Sequence, residues 1–393
     1  MGIDPQIIEL KKVIESAHIN FLFGSGASRP FLETLNNLEA NITYLNDSVE
    51  EDIKGNIDLL KASVFIEYLN KCLFGNLFFD SEDHSGYIKT CKVSGQEKDD
   101  EFKEVKNFYE LFISNISQLL GNRDIQLLSK QINIFTTNVD VFFEEALEVN
   151  NCSFNDGFGG RRELVFDTVN FHNTVHKLST HYEYKSEVPH VNLFKIHGSL
   201  NWLKSKEKSY SEYNITADYS LDNLRKIYEM VQKERANFID YSLINGGVVS
   251  GNFTFLEEHK YNKEIVRDFL LLYNQIVMVN PTKQKFEDTT RNVHYYEMLR
   301  MYANHLEREN SVLFVLGFSF ADEHIQKITQ RVAKSNPTLI IYLLCAESQR
   351  IGFENIFKSF SNVKCIYPQE GYFTLEKLNL YLSQIIESIP TNK

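Results

Sequence analysis

Short apolar runs recur along the chain and are separated by longer segments with helical periodicity. The runs lie at 19–23, 132–135, 191–196, 275–279, 312–316 and 339–344, with a weaker one at 363–366. Short runs without polar alternation are typical of parallel strands that are buried on both faces. They therefore predict the strands of one parallel sheet.

Helical patterns fill several of the gaps between these runs. Asp4 and Pro5 are suited to the N-cap and first position of an opening helix. Apolar residues at helical spacing predict further helices at 139–147, 295–306, 325–332 and 375–386. Strands that alternate with helices predict an α/β fold with a Rossmann-like, doubly wound parallel sheet, whose ligands bind at the carboxyl ends of the strands.

Two segments are too long for simple crossovers, so we expect one catalytic domain over 1–393 with helical insertions. The first insertion, 30–128, is predicted to be a helical cap with helices near 57–74 and 105–120. Its polar middle, 80–100, is predicted to be a mobile loop. The second insertion, 204–268, is predicted to carry a helix near 221–231 and a turn at Gly246-Gly247.

Charge and cysteine content narrow the class of protein. The formal net charge of −12, without a clustered basic patch, argues against direct nucleic-acid binding. The five cysteines form no C-x-x-C pair and suggest neither a disulfide framework nor a structural zinc site, which favours a reducing cytoplasm. The N-terminus does not read as a secretory signal, and no apolar run approaches the roughly 18 residues of a membrane span, so no membrane association is expected.

Two of the predicted strands lead into glycine loops. The first leads into Gly24-Ser25-Gly26-Ala27-Ser28, in which glycines would let the backbone approach a phosphate and a following helix N-terminus would favour its charge. Arg29 stands where the dinucleotide motif G-x-G-x-x-G has its third glycine. A later strand leads into Gly317-Phe318-Ser319, which suits a ribose or phosphate. For both loops a capped strand-to-helix turn is the alternative, with Ser25, Ser28 or Asp322 as the cap.

Two further strand ends carry polar side chains suited to catalysis. In Thr136-Thr137-Asn138-Val139-Asp140, Asn138 offers a neutral donor and acceptor for a sugar hydroxyl or a water, although Asn138 and Asp140 are also good helix caps. His197 follows an apolar strand and precedes small polar residues. Its near-neutral pKa range suits a general base, and a purely structural histidine is the alternative.

These four loops, in this order, resemble the motifs of the sirtuin-like NAD-consuming family, particularly its bacterial anti-phage defence branch. The sirtuin phosphate loop G-A-G-x-S is similar to residues 24–28, with Ser25 in place of alanine. The T-Q-N-I-D loop is matched at residues 136, 138 and 140, and Thr137 departs from it. The catalytic histidine precedes a glycine, as His197 does, and the G-T-S ribose loop is similar to residues 317–319 except at Phe318.

The resemblance implies a sirtuin-like fold and cleavage of NAD+, the substrate, to nicotinamide and ADP-ribose. Asn138 would orient the ribose and the attacking water, and His197 would be the base that accepts a proton from a ribose hydroxyl or from that water. Asp140 would hold the ribose or carboxamide side and help to place Asn138, and Thr137 would also contact NAD+. Residues 24–28 would bind the pyrophosphate, and residues 317–319 would hold the adenosine ribose. Residues 155–160 look like a loop of the bacterial branch and are predicted to form a pocket wall.

The family's deacylating members hold zinc with two C-x-x-C pairs, which this chain lacks, so no zinc is expected. Protein deacylation or ADP-ribosyl transfer is therefore the alternative activity, and a non-catalytic sensor of ADP-ribose or NAD is a second alternative. An NAD-depleting enzyme must be gated. The resemblance implies that the activity is gated by assembly into a homo-oligomer and by a separately encoded HerA-like ATPase or helicase.

Overall fold

The computed structural model describes residues 5–35, 38–47, 53, 55–80, 95–122, 128–179, 181, 185–209, 212–280 and 292–388. Its strands are β1 (His18–Phe23), β2 (Gln131–Thr136), β3 (Phe154–Asn155), β4 (Phe158–Gly159), β5 (Val165–Phe166), β6 (His176–Leu178), β7 (Lys185–Glu187), β8 (His190–Lys195), β9 (Gly198–Ser209), β10 (Glu212–Ala217), β11 (Ile276–Met278), β12 (Ser311–Leu316), β13 (Ile340–Leu344) and β14 (Val363–Ile366). Its α-helices are α1 (Pro5–Ser16), α2 (Leu38–Asp47), α3 (Ile57–Tyr68), α4 (Gly95–Gly121), α5 (Phe142–Val149), α6 (Asp222–Lys233), α7 (Tyr241–Ser250), α8 (Phe255–Glu258), α9 (Lys263–Tyr273), α10 (Val293–Glu307), α11 (Glu323–Ser335), α12 (Glu347–Ile356) and α13 (Leu375–Ser388).

The main sheet is parallel and has the strand order β14-β13-β12-β1-β2-β8-β3. The chain builds outward from β1 through β2 to β8 and then returns to the other side of β1 with β12, β13 and β14. The direction of winding thus reverses between β1 and β12, which is where doubly wound sheets bind ligands. The predicted mixed α/β fold with a helix-flanked parallel sheet is confirmed.

Burial on both faces explains why the strands are read as continuous apolar runs. Phe21 and Phe23 of β1 face a core that contains residues of α1, α4, α5 and α13. Leu22, between them, faces a second core that contains residues of α10, α11 and α12. Every position of these strands therefore needs an apolar side chain or a paired polar one.

A ladder of asparagines crosses the buried centre of the sheet. Asn20, Asn133 and Asn192 lie side by side on β1, β2 and β8. Asn133 Nδ2 donates to Asn20 Oδ1, and Asn192 Nδ2 donates to Asn133 Oδ1, both at 2.9 Å. The ladder also meets α10, where His305 Nδ1 lies 3.0 Å from Asn133 Nδ2. Most of these buried amide groups are thus satisfied by one another and by a histidine, although Asn192 Oδ1 has no hydrogen-bond partner among the described residues.

The run at 275–279 does not belong to the parallel sheet, so that part of the prediction was wrong. Its strand, β11, pairs antiparallel with β9 in a second sheet of order β11-β9-β10-β5-β4. Ile276 faces one hydrophobic core and Val277 another. A strand buried on both sides has the same apolar pattern whichever way it runs. The β9–β10 hairpin begins at Gly198 and so overlaps the predicted insertion 204–268 only in part.

The segment 30–128, predicted to be one cap, is divided between two places. Helices α2 and α3 join α6, α7 and α9 around a separate core. Helix α4 instead lies against the main sheet, next to α5 and α13. It begins at Gly95, so residues 95–100 are helical rather than part of a mobile loop, while 81–94 and Asp4 lie outside the described residues.

The turn predicted at Gly246-Gly247 was wrong. Both glycines lie within α7, and Asp240 caps the start of that helix by accepting from Ser242 N. The helix ends at Gly251, which has a φ of 68°. The left-handed residue that stops the helix is therefore the later glycine. Among the described residues, no helix combines the length and apolar character that crossing a bilayer requires.

Candidate functional site

The four strand-end loops meet around one cavity of about 250 Å³ where the winding of the sheet reverses. Nine of the residues predicted for the site line it: Ser25, Ser28, Thr137, Asn138, Asp140, His197, Gly317, Phe318 and Ser319. The remaining three, Gly24, Gly26 and Ala27, lie behind this wall against the Gly317 loop. Segments separated by up to about 300 residues in sequence are thus brought to one place by the parallel strands.

The helical body built from α2 and α3 closes the cavity from the other side. Tyr68, Cys72 and Leu73 line it at the end of α3 and in the π-helical turn that follows. Burial raises the pKa of Cys72 to about 12 and also raises the pKa of Tyr68 above its usual range, so both side chains are neutral at pH 7. These three side chains therefore bring no charge to the cavity.

Glycines allow the loops after β1 and β12 to interlock. Gly24 N donates to Leu316 O and Gly26 N to Gly317 O, both at 3.0 Å. A Cβ on Gly24 would lie 2.5 Å from Gly317 O, and one on Gly317, whose φ is +67°, would lie 2.5 Å from Ala27 N. The close approach that excludes a side chain is between the two loops themselves.

The Gly24 loop does not lead into a long helix. Residues Ser25–Ser28 form a single 3₁₀ turn in which Ala27 N donates to Gly24 O at 3.0 Å. With the amides of Gly24, Gly26 and Ala27 donating to carbonyl groups, this loop offers an anion few free N–H groups. The expected helix N-terminus is therefore absent at this position, and phosphate binding by residues 24–28 stays a prediction.

Ser28 is the centre of a buried hydrogen-bond network. Its Oγ donates to Asp140 Oδ2 at 2.7 Å and accepts from Asn138 Nδ2 at 3.3 Å. Tyr109 OH lies 2.8 Å from the same oxygen. Since the single serine proton is committed to the carboxylate, the tyrosine must be the donor in that contact. Burial and the charge of Asp140 raise the pKa of Tyr109 and keep that proton in place.

The network fixes the orientation of the Asn138 amide. Its Nδ2 faces Ser28, and its backbone N donates to Thr136 Oγ1 at 3.0 Å. Asn138 is 6% exposed and lines the cavity, yet its Oδ1 has no hydrogen-bond partner in the described part of the chain. A buried acceptor without a partner is costly unless a ligand or water supplies a donor. Asn138 is therefore suited to accept from a ligand hydroxyl.

Capping does not account for Asn138. The N-cap of α5 is Val141, without a side-chain cap, and Asp140 Oδ1 accepts from Phe142 N at a long 3.4 Å. Asp140 thus combines a weak role at the helix start with a short bond to Ser28. Asn138 takes no part in capping, so the alternative explanation fails for Asn138 and holds only weakly for Asp140.

His197 lies in the turn between β8 and β9 and is 6% exposed. Its carbonyl accepts from Val279 N at 2.8 Å, which ties the turn to β11. Gly198 has a φ of +80°, and a Cβ there would lie 2.1 Å from Val277 O. The glycine after the histidine is thus required by the turn. The His197 ring lies 5.9 Å, between ring centroids, from that of His324 at the start of α11.

A buried ion pair joins the Asn138 loop to the His197 turn. Lys195 Nζ lies 3.2 Å from Glu144 Oε1 and also donates to the carbonyl of Asp140. Ser199 Oγ donates to Glu144 Oε1 at 3.2 Å. Lys195 is 1% exposed, and sequence reasoning overlooked it. The available signal was a lysine within an apolar strand, because lysine is almost never fully buried without a partner.

The Gly317 loop presents its small residues to the cavity. Ser319 is exposed, and its Oγ accepts from Ala321 N at 3.4 Å. The Phe318 ring packs against Phe320, with ring centroids 5.0 Å apart. Asp322 occupies the N-cap position of α11, but its side chain makes no capping hydrogen bond. The alternative of an Asp322 cap is therefore not observed.

Residues 155–160, predicted to form a pocket wall, do not line this cavity. Their polar groups stabilise a local turn instead. Asp156 accepts from Tyr219 OH at 2.8 Å and from Phe158 N at 3.1 Å, and Asn155 Oδ1 accepts from Gly157 N at 2.9 Å. Burial raises the pKa of Asp156 despite these donors.

The cavity wall carries negative charge. Glu33, Glu39, Asp140 and Asp322 all line it. Within the described part of the chain, no lysine or arginine does. Such a wall favours a cation, or a reaction in which positive charge develops, over an anion.

No protein-family profile matches the sequence, and no curated protein matches it either.

Proposed function

We propose that this protein is a sirtuin-like NAD+ glycohydrolase, which cleaves NAD+ to nicotinamide and ADP-ribose. The observation that carries the proposal is the convergence of four motif-bearing loops on one cavity, with Asn138 and His197 both in its wall. The resemblance of those motifs to the NAD-consuming family supplies the substrate. The open Oδ1 of Asn138 supplies a place for a ribose hydroxyl.

The reaction breaks the bond between C1′ of the ribose and N1 of nicotinamide. The bonding electrons leave with the pyridinium ring, which becomes neutral, so no general acid is needed. Water adds to C1′, and His197 accepts its proton before releasing it to solvent. The acidic wall and the oriented Asn138 amide stabilise the cationic, oxocarbenium-like transition state.

The other predicted roles follow the same geometry. Asp140 places Asn138 through Ser28, because both side chains bond to the serine hydroxyl. Thr137 lines the cavity beside them and is proposed to contact the ribose or the carboxamide. Ser25, the exposed residue of the first loop, is the proposed contact to pyrophosphate, and residues 317–319 are proposed to hold the adenosine ribose.

In the cell we propose a gated effector of anti-phage defence that depletes NAD+ when it is triggered. The gate is proposed to be assembly into a homo-oligomer, contact with a separately encoded HerA-like ATPase or helicase, or both. This part of the proposal rests on the family resemblance.

The proposal is tested by incubating the purified chain with NAD+, alone and with the product of its neighbouring gene, and quantifying nicotinamide and ADP-ribose. His197→Ala and Asn138→Ala are expected to lower nicotinamide release about a hundredfold or more. The exposed residues His176 and Asn173 provide matched controls, because alanine at either position should leave turnover unchanged.

The same products separate the alternative activities. Free ADP-ribose without a peptide acceptor supports hydrolysis, O-acyl-ADP-ribose would indicate deacylation, and ADP-ribosylated protein would indicate transfer. Tight nucleotide binding with no nicotinamide release under any condition would indicate a sensor and contradict the proposed hydrolase.

A further inference from the structure

We propose that the cavity recognises the cationic N-ribosyl pyridinium half of the substrate and needs little from the adenylate half. Nicotinamide riboside, which carries no phosphate, is then a substrate in its own right. This inference rests on the proposed hydrolase function and specifies which part of the substrate the site selects.

The charge of the wall is the first observation. Glu33, Glu39, Asp140 and Asp322 face a common space that no lysine or arginine of the described residues lines. Opposite charges attract each other more strongly near a protein surface than in bulk water. A pyridinium ring is attracted by these carboxylates, whereas a diphosphate placed beside them is repelled.

The shortage of phosphate donors is the second observation. Dinucleotide sites usually hold pyrophosphate with the N–H groups of a glycine loop at a helix N-terminus. In this chain the amides of Gly24, Gly26 and Ala27 donate to carbonyl oxygens, and the loop continues into a single 3₁₀ turn. The first glycine loop therefore offers a diphosphate few free N–H groups.

The unsatisfied acceptor is the third observation. Asn138 Oδ1 is buried without a partner in the described part of the chain, and the residue lines the cavity. A ribose hydroxyl supplies the missing donor, and the nicotinamide riboside half of NAD+ contains that hydroxyl. The cavity volume, about 250 Å³, falls below the roughly 300–1,000 Å³ of sites for drug-sized ligands.

The reaction of the riboside balances as that of NAD+ does. The C1′–N1 bond breaks, nicotinamide leaves with the electron pair, and water forms the new C1′–O bond and gives up one proton. The products are nicotinamide, ribose and a proton, so no oxidant or other co-reactant is required.

The test compares kcat/KM for NAD+, nicotinamide mononucleotide and nicotinamide riboside, with the chain alone and with its genomic neighbour. Enzymes that draw on remote parts of a substrate lose turnover when those parts are removed. We expect kcat/KM for the riboside to be within tenfold of that for NAD+. It should also exceed kcat/KM for the mononucleotide, because the phosphate of the mononucleotide is repelled by the carboxylates. A loss of more than tenfold for the riboside overturns the inference while leaving the hydrolase proposal intact.

Variants that remove a negative charge test whether the acidic wall causes the preference for the pyridinium half. Glu33→Gln and Asp322→Asn are expected to lower kcat/KM for the riboside about threefold to tenfold, and to lower it less for NAD+, whose phosphates are also relieved of repulsion. Glu257→Gln makes an equal change of charge at an exposed position on α8, and it should leave kcat/KM unchanged for both substrates. Equal effects of the pocket variants on both substrates would contradict the inference.

Calorimetric titration with nicotinamide riboside separates the two proposals when no cleavage occurs. If the riboside binds, Glu33→Gln weakens that binding and no substrate releases nicotinamide, the acidic cation-binding site is supported and the hydrolase function is refuted. Absence of both binding and cleavage would refute both.

Discussion

The Lys195–Glu144 pair gives the sharpest prediction about what holds the site together. The change Lys195→Met keeps most of the side-chain length and removes the charge. It leaves Glu144, which is 6% exposed, with the Ser199 hydroxyl as a donor and without its cation. It also removes the donor to the Asp140 carbonyl, so the loop that carries Asn138 loses one of its supports.

The expected magnitude follows from burial. Removing one partner of a buried ion pair costs about 3–5 kcal/mol, whereas an exposed pair is worth about 0–1 kcal/mol. The pKa of Glu144 is already raised, because burial outweighs the attraction of Lys195, and the variant raises it further. A carboxyl group that is protonated in the folded state carries no unpaired charge, so the cost of the substitution shrinks as the pH falls.

The assay is urea denaturation followed by fluorescence of Trp202, the single tryptophan, which is buried on β9 near the site. Lys327→Met is the matched control, because its 2.7 Å pair with Glu323 is exposed. Adding Glu144→Leu to Lys195→Met should recover most of the lost stability, since an apolar pair can replace a buried ion pair. Equal losses for Lys195→Met and Lys327→Met, or no recovery in the double variant, would refute the reasoning.

Three further outcomes are expected. Gly317→Ala should lower the free energy of unfolding by at least about 1 kcal/mol more than Gly251→Ala does. The two glycines have nearly the same φ, +67° and +68°, but only at Gly317 would the added Cβ meet backbone atoms. Equal denaturation midpoints for the two variants would count against the interlocking of the two loops. Burial, aided by nearby positive charge, lowers the pKa of His305 from 6.5 to about 4. Between these pH values the unfolded state binds more protons than the folded state. The free energy of unfolding should therefore fall by up to about 3 kcal/mol as the pH drops from 6.5 to 4. His305→Gln should flatten that part of the pH profile of urea midpoints, and an unchanged slope would contradict the assignment. Ser28→Ala should lower the free energy of unfolding by about 1–3 kcal/mol and also lower turnover, because Asp140 loses the donor that lies 2.7 Å away. Nicotinamide release at the wild-type rate would show that the hydrogen-bond network around Ser28 is dispensable.

Much of the main sheet was predictable because burial on both faces leaves a strong signal. The run at 363–366 matches β14, and the runs at 19–23 and 312–316 each miss only the first residue of β1 and β12. The run at 275–279 misled for the same reason, since an apolar strand does not reveal whether its neighbours are parallel. Strand direction is set by long-range pairing, which local pattern does not record.

The site was predictable only where chemistry follows directly from a strand end. Asn138 and His197 were found because loops at the carboxyl ends of parallel strands converge. Tyr68 and Tyr109 reach the site from helices far away in sequence from the four strand-end loops. Their positions depend on how the helical body packs, and no local spacing predicts that.

Nicotinamide release tests most directly whether Asn138 and His197 form an NAD+-hydrolysing site. Wild-type protein, with its genomic neighbour, should release nicotinamide and ADP-ribose from NAD+, while His197→Ala and Asn138→Ala, folded as judged by Trp202 fluorescence, should release about a hundredfold less. Release at the wild-type rate by either folded variant, or no release by the wild-type protein in any condition, would contradict the claim.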